Sequence, residues 1–168
     1  MSRSVDDFVA YLAAKRSVDD RALHRPTLDR LAAELDARAT ARGEQPVRIL
    51  EVGFGIGTML ERLRDWNLLP AAVEYVGVDI DDTNIAAAAD RLTNGDFEQT
   101  GSRQFALTGD DMTLTVELHA ADAFEFAAAH SDPTAAEPQF DLLIGMAFLD
   151  IVPVAQVADT LLPLIAGG

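Results

Sequence analysis

The sequence predicts a three-layer α/β domain, a parallel sheet with helices on both faces. Three observations carry that expectation. From residue 47 onward, short apolar runs alternate with helix-like stretches, the pattern of strand–helix–strand units. A glycine-rich turn, Gly53, Gly55 and Gly57, joins the first apolar run to the first such stretch. An acid stands at or beside the end of three of the runs: Glu51, Asp79 and Asp122.

Each element has its own signal. Ser4 is a helix cap, Asp6 and Asp7 suit a first turn, and Phe8, Val9, Tyr11 and Leu12 supply an apolar face. A second helix begins near Pro26, a favoured first helical residue, carries Leu28, Leu31 and Leu35, and stops at Gly43. These two helices make residues 1–46 an N-terminal helical cap and leave residues 47–168 as the α/β domain. Residues 47–52 read as a buried strand and residues 58–66 as a helix with Met59, Leu60 and Leu63 on one side. Residues 73–78 form the second strand; Asp81 or Asp82 caps the next helix, which carries an alanine run and ends near Gly95. Residues 104–107 and 114–118 alternate on either side of a Gly109-Asp110-Asp111 turn, the signature of a hairpin. Residues 123–129 are helical, residues 131–139 with Pro133 and Pro138 are a loop, residues 140–144 are a fourth strand, and residues 153–165 a last helix.

Composition narrows the function classes. A chain of 168 residues with 49% hydrophobic content fits one folded domain. It has no cysteine, which excludes disulfides and thiolate zinc sites. The N-terminal stretch carries acids where a secretion signal needs an apolar core, and no run is long enough for a membrane span. The expectation is a soluble cytoplasmic protein without a membrane partner. The net charge of -15 disfavours nucleic acid, whose phosphates it would repel. Arg16, Arg21, Arg25 and Arg30 cluster, but Asp19, Asp20 and Asp29 interleave with them. Lys15 is the only lysine. This acidity fits either adaptation to salt or an alanine-, arginine- and aspartate-rich coding bias.

The chemistry lies in residues 49–60, ILEVGFGIGTML. A strand turns sharply into a helix, and alternate glycines let a ligand approach the backbone. The helix start offers N–H groups to an anion, and Glu51 is an acceptor for a cationic or hydroxyl-bearing group. The spacing is G-x-G-x-G with an acid two residues ahead, whereas dinucleotide sites use G-x-G-x-x-G. A bare structural turn has the same composition. Asp79 closes the second strand in YVGVDID, where a carboxylate can accept both hydroxyls of a ribose. Asp122, in LHAADAF, is also an excellent helix cap.

Together these segments resemble the class I S-adenosylmethionine-dependent methyltransferases, whose first motif is written (E/D)-x-G-x-G-x-G. The resemblance covers residues 47–168 and implies a Rossmann-like sheet and S-adenosyl-L-methionine as cofactor. It implies that Gly53, Gly55 and Gly57 receive the amino-acid end of the cofactor, with Glu51 and Phe54 as further cofactor-binding residues. It implies Asp79 at the ribose, Asp122 with Ala123 at the adenine, and Ile80 as a further cofactor-binding residue. In FDLLIGMAFLDIV, Gly145, Met146 and Ala147 would line the cofactor, with Phe148, Leu149 and Asp150 nearer the acceptor. The Asn/Asp-Pro-Pro-Tyr/Phe pattern of the amino-methylating nucleic-acid enzymes is absent. The acceptor is therefore expected to be a small molecule or a protein side chain.

The family sheet has seven strands in the order 3-2-1-4-5-7-6. Gly167-Gly168 matches the pair before strand five, so the sheet is expected to stop after strand four and its helix. Strand four would then be an exposed edge through which two copies could pair. No catalytic base stands out. Of the three histidines, His119 reads as structural and His130 as a helix-end residue; His24, with Tyr11, lies in the helices that could cover the site. A metal cluster of Glu51, Asp79 and Asp122 is disfavoured, since each belongs to a different strand. Two rival functions remain: an NAD-type oxidoreductase, against which the glycine spacing counts, and a non-catalytic cofactor-binding or interaction domain.

Overall fold

The computed structural model describes residues 20, 23–109, 111–131, 138–146 and 148–165. The expected helix beginning at Ser4, the centre of the proline loop, Ala147 and Gly167-Gly168 lie outside the described residues. The chain runs α1 (Arg25–Arg42), β1 (Val47–Val52), α2 (Thr58–Asp65), β2 (Ala72–Asp79) and α3 (Asp82–Thr93). It continues through β3 (Glu98–Gly101), β4 (Gln104–Thr108), β5 (Thr113–Ala120), α4 (Ala123–His130), β6 (Leu142–Ile144) and α5 (Val154–Thr160).

Local chemistry sets the helix ends. Pro26 sits in the first turn of α1, where a missing N–H costs nothing, and Gly43 stops it at φ +65°. Asp81 caps α3 by accepting from the Thr83 N–H at 2.9 Å. The last helix is shorter than its apolar pattern suggests. α5 ends at Thr160, and a 3-10 turn follows over Leu162–Leu164. Pro163 explains the break, because it has no N–H to continue the α ladder.

The six strands form one sheet in the order β3-β4-β5-β2-β1-β6. The four strands read from the sequence are parallel to one another, with β1 between β2 and β6 and β5 outside β2. The sheet as a whole is mixed rather than parallel. β4 runs antiparallel to β5, as the hairpin reading implies, and β3 adds a further antiparallel strand beyond it. Nothing in Glu98-Gln99-Thr100 announces a strand: the segment is exposed, so it has no apolar face to alternate. At the other side of the sheet, β6 does not present a wholly open edge. Phe140, just ahead of it, forms a parallel bridge with Ile165, and its N–H donates to the Leu164 carbonyl at 2.9 Å.

Both faces are covered. On one, Val47, Ile49, Val73, Tyr75, Leu114 and Val116 pack under Leu28 and Leu35 of α1, Leu60 and Leu63 of α2, and Ile85 of α3. On the other, Leu50, Val52 and Val78 meet Phe126 and Ala127 of α4 and Val157 of α5. Each fully buried leucine or isoleucine contributes ~1.5–3 kcal/mol of transfer free energy. The two layers of helix hold the carboxyl ends of β1, β2 and β5 side by side.

Candidate functional site

The chain leaves β1, passes to β2 and β5 on one side, and returns to β6 on the other. The order of the parallel strands therefore reverses at β1. In open α/β sheets such a switch point leaves a crevice beyond the strand ends, where ligands bind. The glycine run stands there. Gly53, Gly55 and Gly57 have φ of 70°, 58° and 81°. A side chain at any of them would be strained in this left-handed region. Beside Gly55 there is open space: no atom lies within 4 Å of where a Cβ would stand.

Phe54 supports the loop from below. Its side chain is buried in the core and lies over Gly77, where a Cβ would come within 2.7 Å of the ring. Its N–H donates to the Val78 carbonyl at 3.0 Å, and its carbonyl accepts from Gly57 at 3.1 Å. Gly77 is thus required by a close approach within the core. Phe148, from the segment after β6, packs against Gly53 and Gly145 from the other side.

Asp79, 9% exposed at the end of β2, ties two loops together. Its Oδ2 accepts from the Gly55 N–H at 2.7 Å. Its Oδ1 accepts from the Asp81 N–H at 2.9 Å and from Asn84 Nδ2 at 3.2 Å. A carboxylate has about four lone-pair sites, so these three donors leave about one for a ligand.

Glu51 is enclosed rather than presented at the surface. It is 2% exposed, and Tyr75 Oη donates to its Oε2 at 2.6 Å. Glu51 pairs with Gly77 in the β1–β2 register, which places it diagonally beside both Tyr75 and Asp79. Burial pushes its pKa up to about 8; the Tyr75 hydrogen bond and the Arg62 guanidinium oppose the rise, and Asp79 adds to it. Burial and the neighbouring Glu51 likewise hold the Tyr75 phenol well above its usual range.

Asp122 uses one of its two carboxylate oxygens. Its Oδ1 accepts from the Phe124 N–H at 2.8 Å and the Glu125 N–H at 3.1 Å, which makes it the cap of α4. No donor among the described residues meets Oδ2. Ala123, buried, follows as the first residue of the helix. Next to the strand ends, Ile80 is 75% and Met146 45% exposed, and Leu149 and Ile151 expose further apolar surface.

The structure brings Glu51, the glycines, Asp79 and Asp122 to neighbouring strand ends. It places the Phe54 side chain beneath them instead of in the crevice. His24 is not gathered in by its contacts. It caps the exposed start of α1 and bonds Thr27, while Arg25 beside it lies over Trp66, at the end of α2 away from the glycine loop. Tyr75, Asn84 and Phe148 join the site as supporting residues. Period-two spacing puts Tyr75, Gly77 and Asp79 on one face of β2, but only the strand register sets that face against Glu51. Among the described residues no group of three His, Asp or Glu side chains is arranged to hold a metal ion, and no helix is long and apolar enough to cross a membrane.

No protein-family model and no curated protein matches the chain. Solved structures do. The bifunctional kinase-methyltransferase WbdD is 21% identical over 80% of this chain and 24% of that one, with a TM-score of 0.48. The plantazolicin methyltransferase BpumL, in complex with a triazolic desmethylPZN analog and SAH, is 19% identical over 91% of this chain and 48% of its own, with a TM-score of 0.42. The same enzyme in complex with SAH matches 98% of this chain and 59% of its own at 17% identity and a TM-score of 0.40. The chain spans less than two thirds of the length of each.

Proposed function

We propose that this chain binds S-adenosyl-L-methionine across the ends of β1, β2 and β5 and forms the cofactor-binding part of a methyltransferase. One observation carries the reading: a G-x-G-x-G turn at the switch point of the sheet, flanked in order by Glu51, Asp79 and Asp122 at three neighbouring strand ends. The residues fit such a ligand. The open space over Gly55 admits its amino-acid end, the remaining acceptor site of Asp79 suits a ribose hydroxyl, and Asp122 Oδ2 suits an exocyclic amine. Ile80 and Met146 offer apolar surface beside them.

The cofactor would supply an activated methyl group on a sulfonium. The chain's own residues hold and orient, and in-line methyl transfer depends mostly on that alignment. The acceptor is a small molecule or a protein side chain, in keeping with the chain's charge and the apolar residues after β6.

Calorimetry tests the reading. S-adenosylhomocysteine should give saturable heat at one site per chain, and NAD should give none. Saturable heat from NAD with none from S-adenosylhomocysteine would favour the oxidoreductase and overturn the methyltransferase.

A further inference from the structure

Glu51 and Tyr75 form a buried acid–phenol pair directly under the glycine loop, and positioning of the ligand does not by itself account for it. Tyr75 is 1% exposed and Glu51 2%. The phenol donates to Oε2. Among the described residues no fully buried side-chain oxygen or nitrogen lacks a hydrogen-bond partner. No donor among the described residues meets Oε1. A neutral carboxyl that accepts on Oε2 carries its own proton on Oε1.

Among the described residues two charged groups act on Glu51. Arg62 of α2, itself buried and held by Asp20 at 2.5 Å, favours the ionised carboxylate. Asp79, at the end of β2, opposes it. On the β6 side Glu51 is paired with Ile144, which cannot titrate.

We propose that ligand binding at the glycine loop is linked to release of the Glu51 proton, with Tyr75 as the positioning residue that sets the linkage. The inference rests on the proposed cofactor, whose amino-acid end carries an ammonium group. When that cation approaches Oε1, the carboxyl O–H bond breaks, its electron pair stays on the carboxylate, and the proton passes to solvent. Burial that disfavours a lone carboxylate no longer does so once a cation shares the enclosure. Tyr75 keeps its bond to Oε2 in both states, stabilising the charged form and holding Oε1 toward the ligand. In the ligand-free protein burial keeps Glu51 protonated up to a pH of about 8.

The experiment is calorimetry of the chain with S-adenosylhomocysteine at about pH 6.5, in two buffers of different ionisation enthalpy. The expected result is release of about one proton per ligand bound, with affinity rising ~tenfold per pH unit and levelling off above about pH 8. Glu51→Gln should abolish both the release and the slope. Tyr75→Phe should move the break to higher pH, because the bond it removes favours ionisation; a purely structural role would leave the break in place. Saturable binding with no buffer dependence and a flat pH profile overturns the linkage while the cofactor site stands. An unmoved break in Tyr75→Phe overturns the role of Tyr75. No saturable heat in any buffer overturns the cofactor reading and the linkage together.

Discussion

Glu51 and Asp79, at the ends of β1 and β2, are enclosed by the protein, whereas Asp122, at the end of β5, remains half-buried with one oxygen open. The three acids look alike in the sequence: each stands at or beside the end of a strand, and two are followed by a helix. Their surroundings make them different groups. Glu51 is held in a neutral form by burial, against the opposing pull of one phenol. Asp79 is a three-donor latch between two loops. Asp122 is a helix cap with a free oxygen. The inner region of the crevice is thus built as core, and the outer region as surface. A ligand that spans both would meet a rigid, proton-holding end and an adaptable end.

Changes at the three acids separate these regions. The largest effect is expected at Glu51. Its folded pKa lies above the ordinary 4.5, so between pH 4.5 and about 8 the folded chain keeps a proton that the unfolded chain has lost. Stability is then fully present below pH 4.5 and falls as pH rises through the window, by up to ~5 kcal/mol at ~1.4 kcal/mol per pH unit. Glu51→Gln retains an acceptor for Tyr75 and cannot titrate. Urea unfolding should show the variant gaining on the parent chain steadily from pH 5 to pH 8. A constant offset across that range would mean that Glu51 is not neutral in the fold.

The middle effect belongs to Asp79. Asp79→Asn keeps the shape and one acceptor but loses the charge, and S-adenosylhomocysteine binding should weaken by ~1–3 kcal/mol. An unchanged dissociation constant would remove Asp79 from the ligand site and leave it as a latch alone. The smallest effect is expected at Asp122. Asp122→Ala should cost ~0.5–2 kcal/mol of stability through the lost cap. Asp122→Ser can restore the cap but not the reach of Oδ2. If Ser recovers stability while binding stays weak, the two oxygens have separate roles; if it recovers both, Asp122 is only a cap.

How much of this was legible depended on whether the cause was local. The glycine run, its acid, the caps at Asp81 and Asp122, and the break at Gly43 are written within a few residues, and the structure shows them where the sequence puts them. The order of the four parallel strands followed from the resemblance, which carries topology that local pattern does not. The Glu51–Tyr75 bond was not legible, because its partners lie 24 residues apart and meet only through the β1–β2 register. For the same reason the burial of the Phe54 ring is not legible locally: the space that accepts it is made by Gly77 on the neighbouring strand. β3 is not legible because an exposed outer strand needs no apolar face. The end of the last helix is hard to read because apolar residues continue across Pro163.

The most direct test of the account is a crystal structure of the chain soaked with S-adenosylhomocysteine. The account predicts the ammonium beside Glu51, with the amino-acid end over Gly55, a ribose hydroxyl on Asp79, and the adenine amine within hydrogen-bond distance of Asp122 Oδ2. A ligand bound away from the β1, β2 and β5 ends, or one that leaves Asp79 and Asp122 untouched, would contradict it.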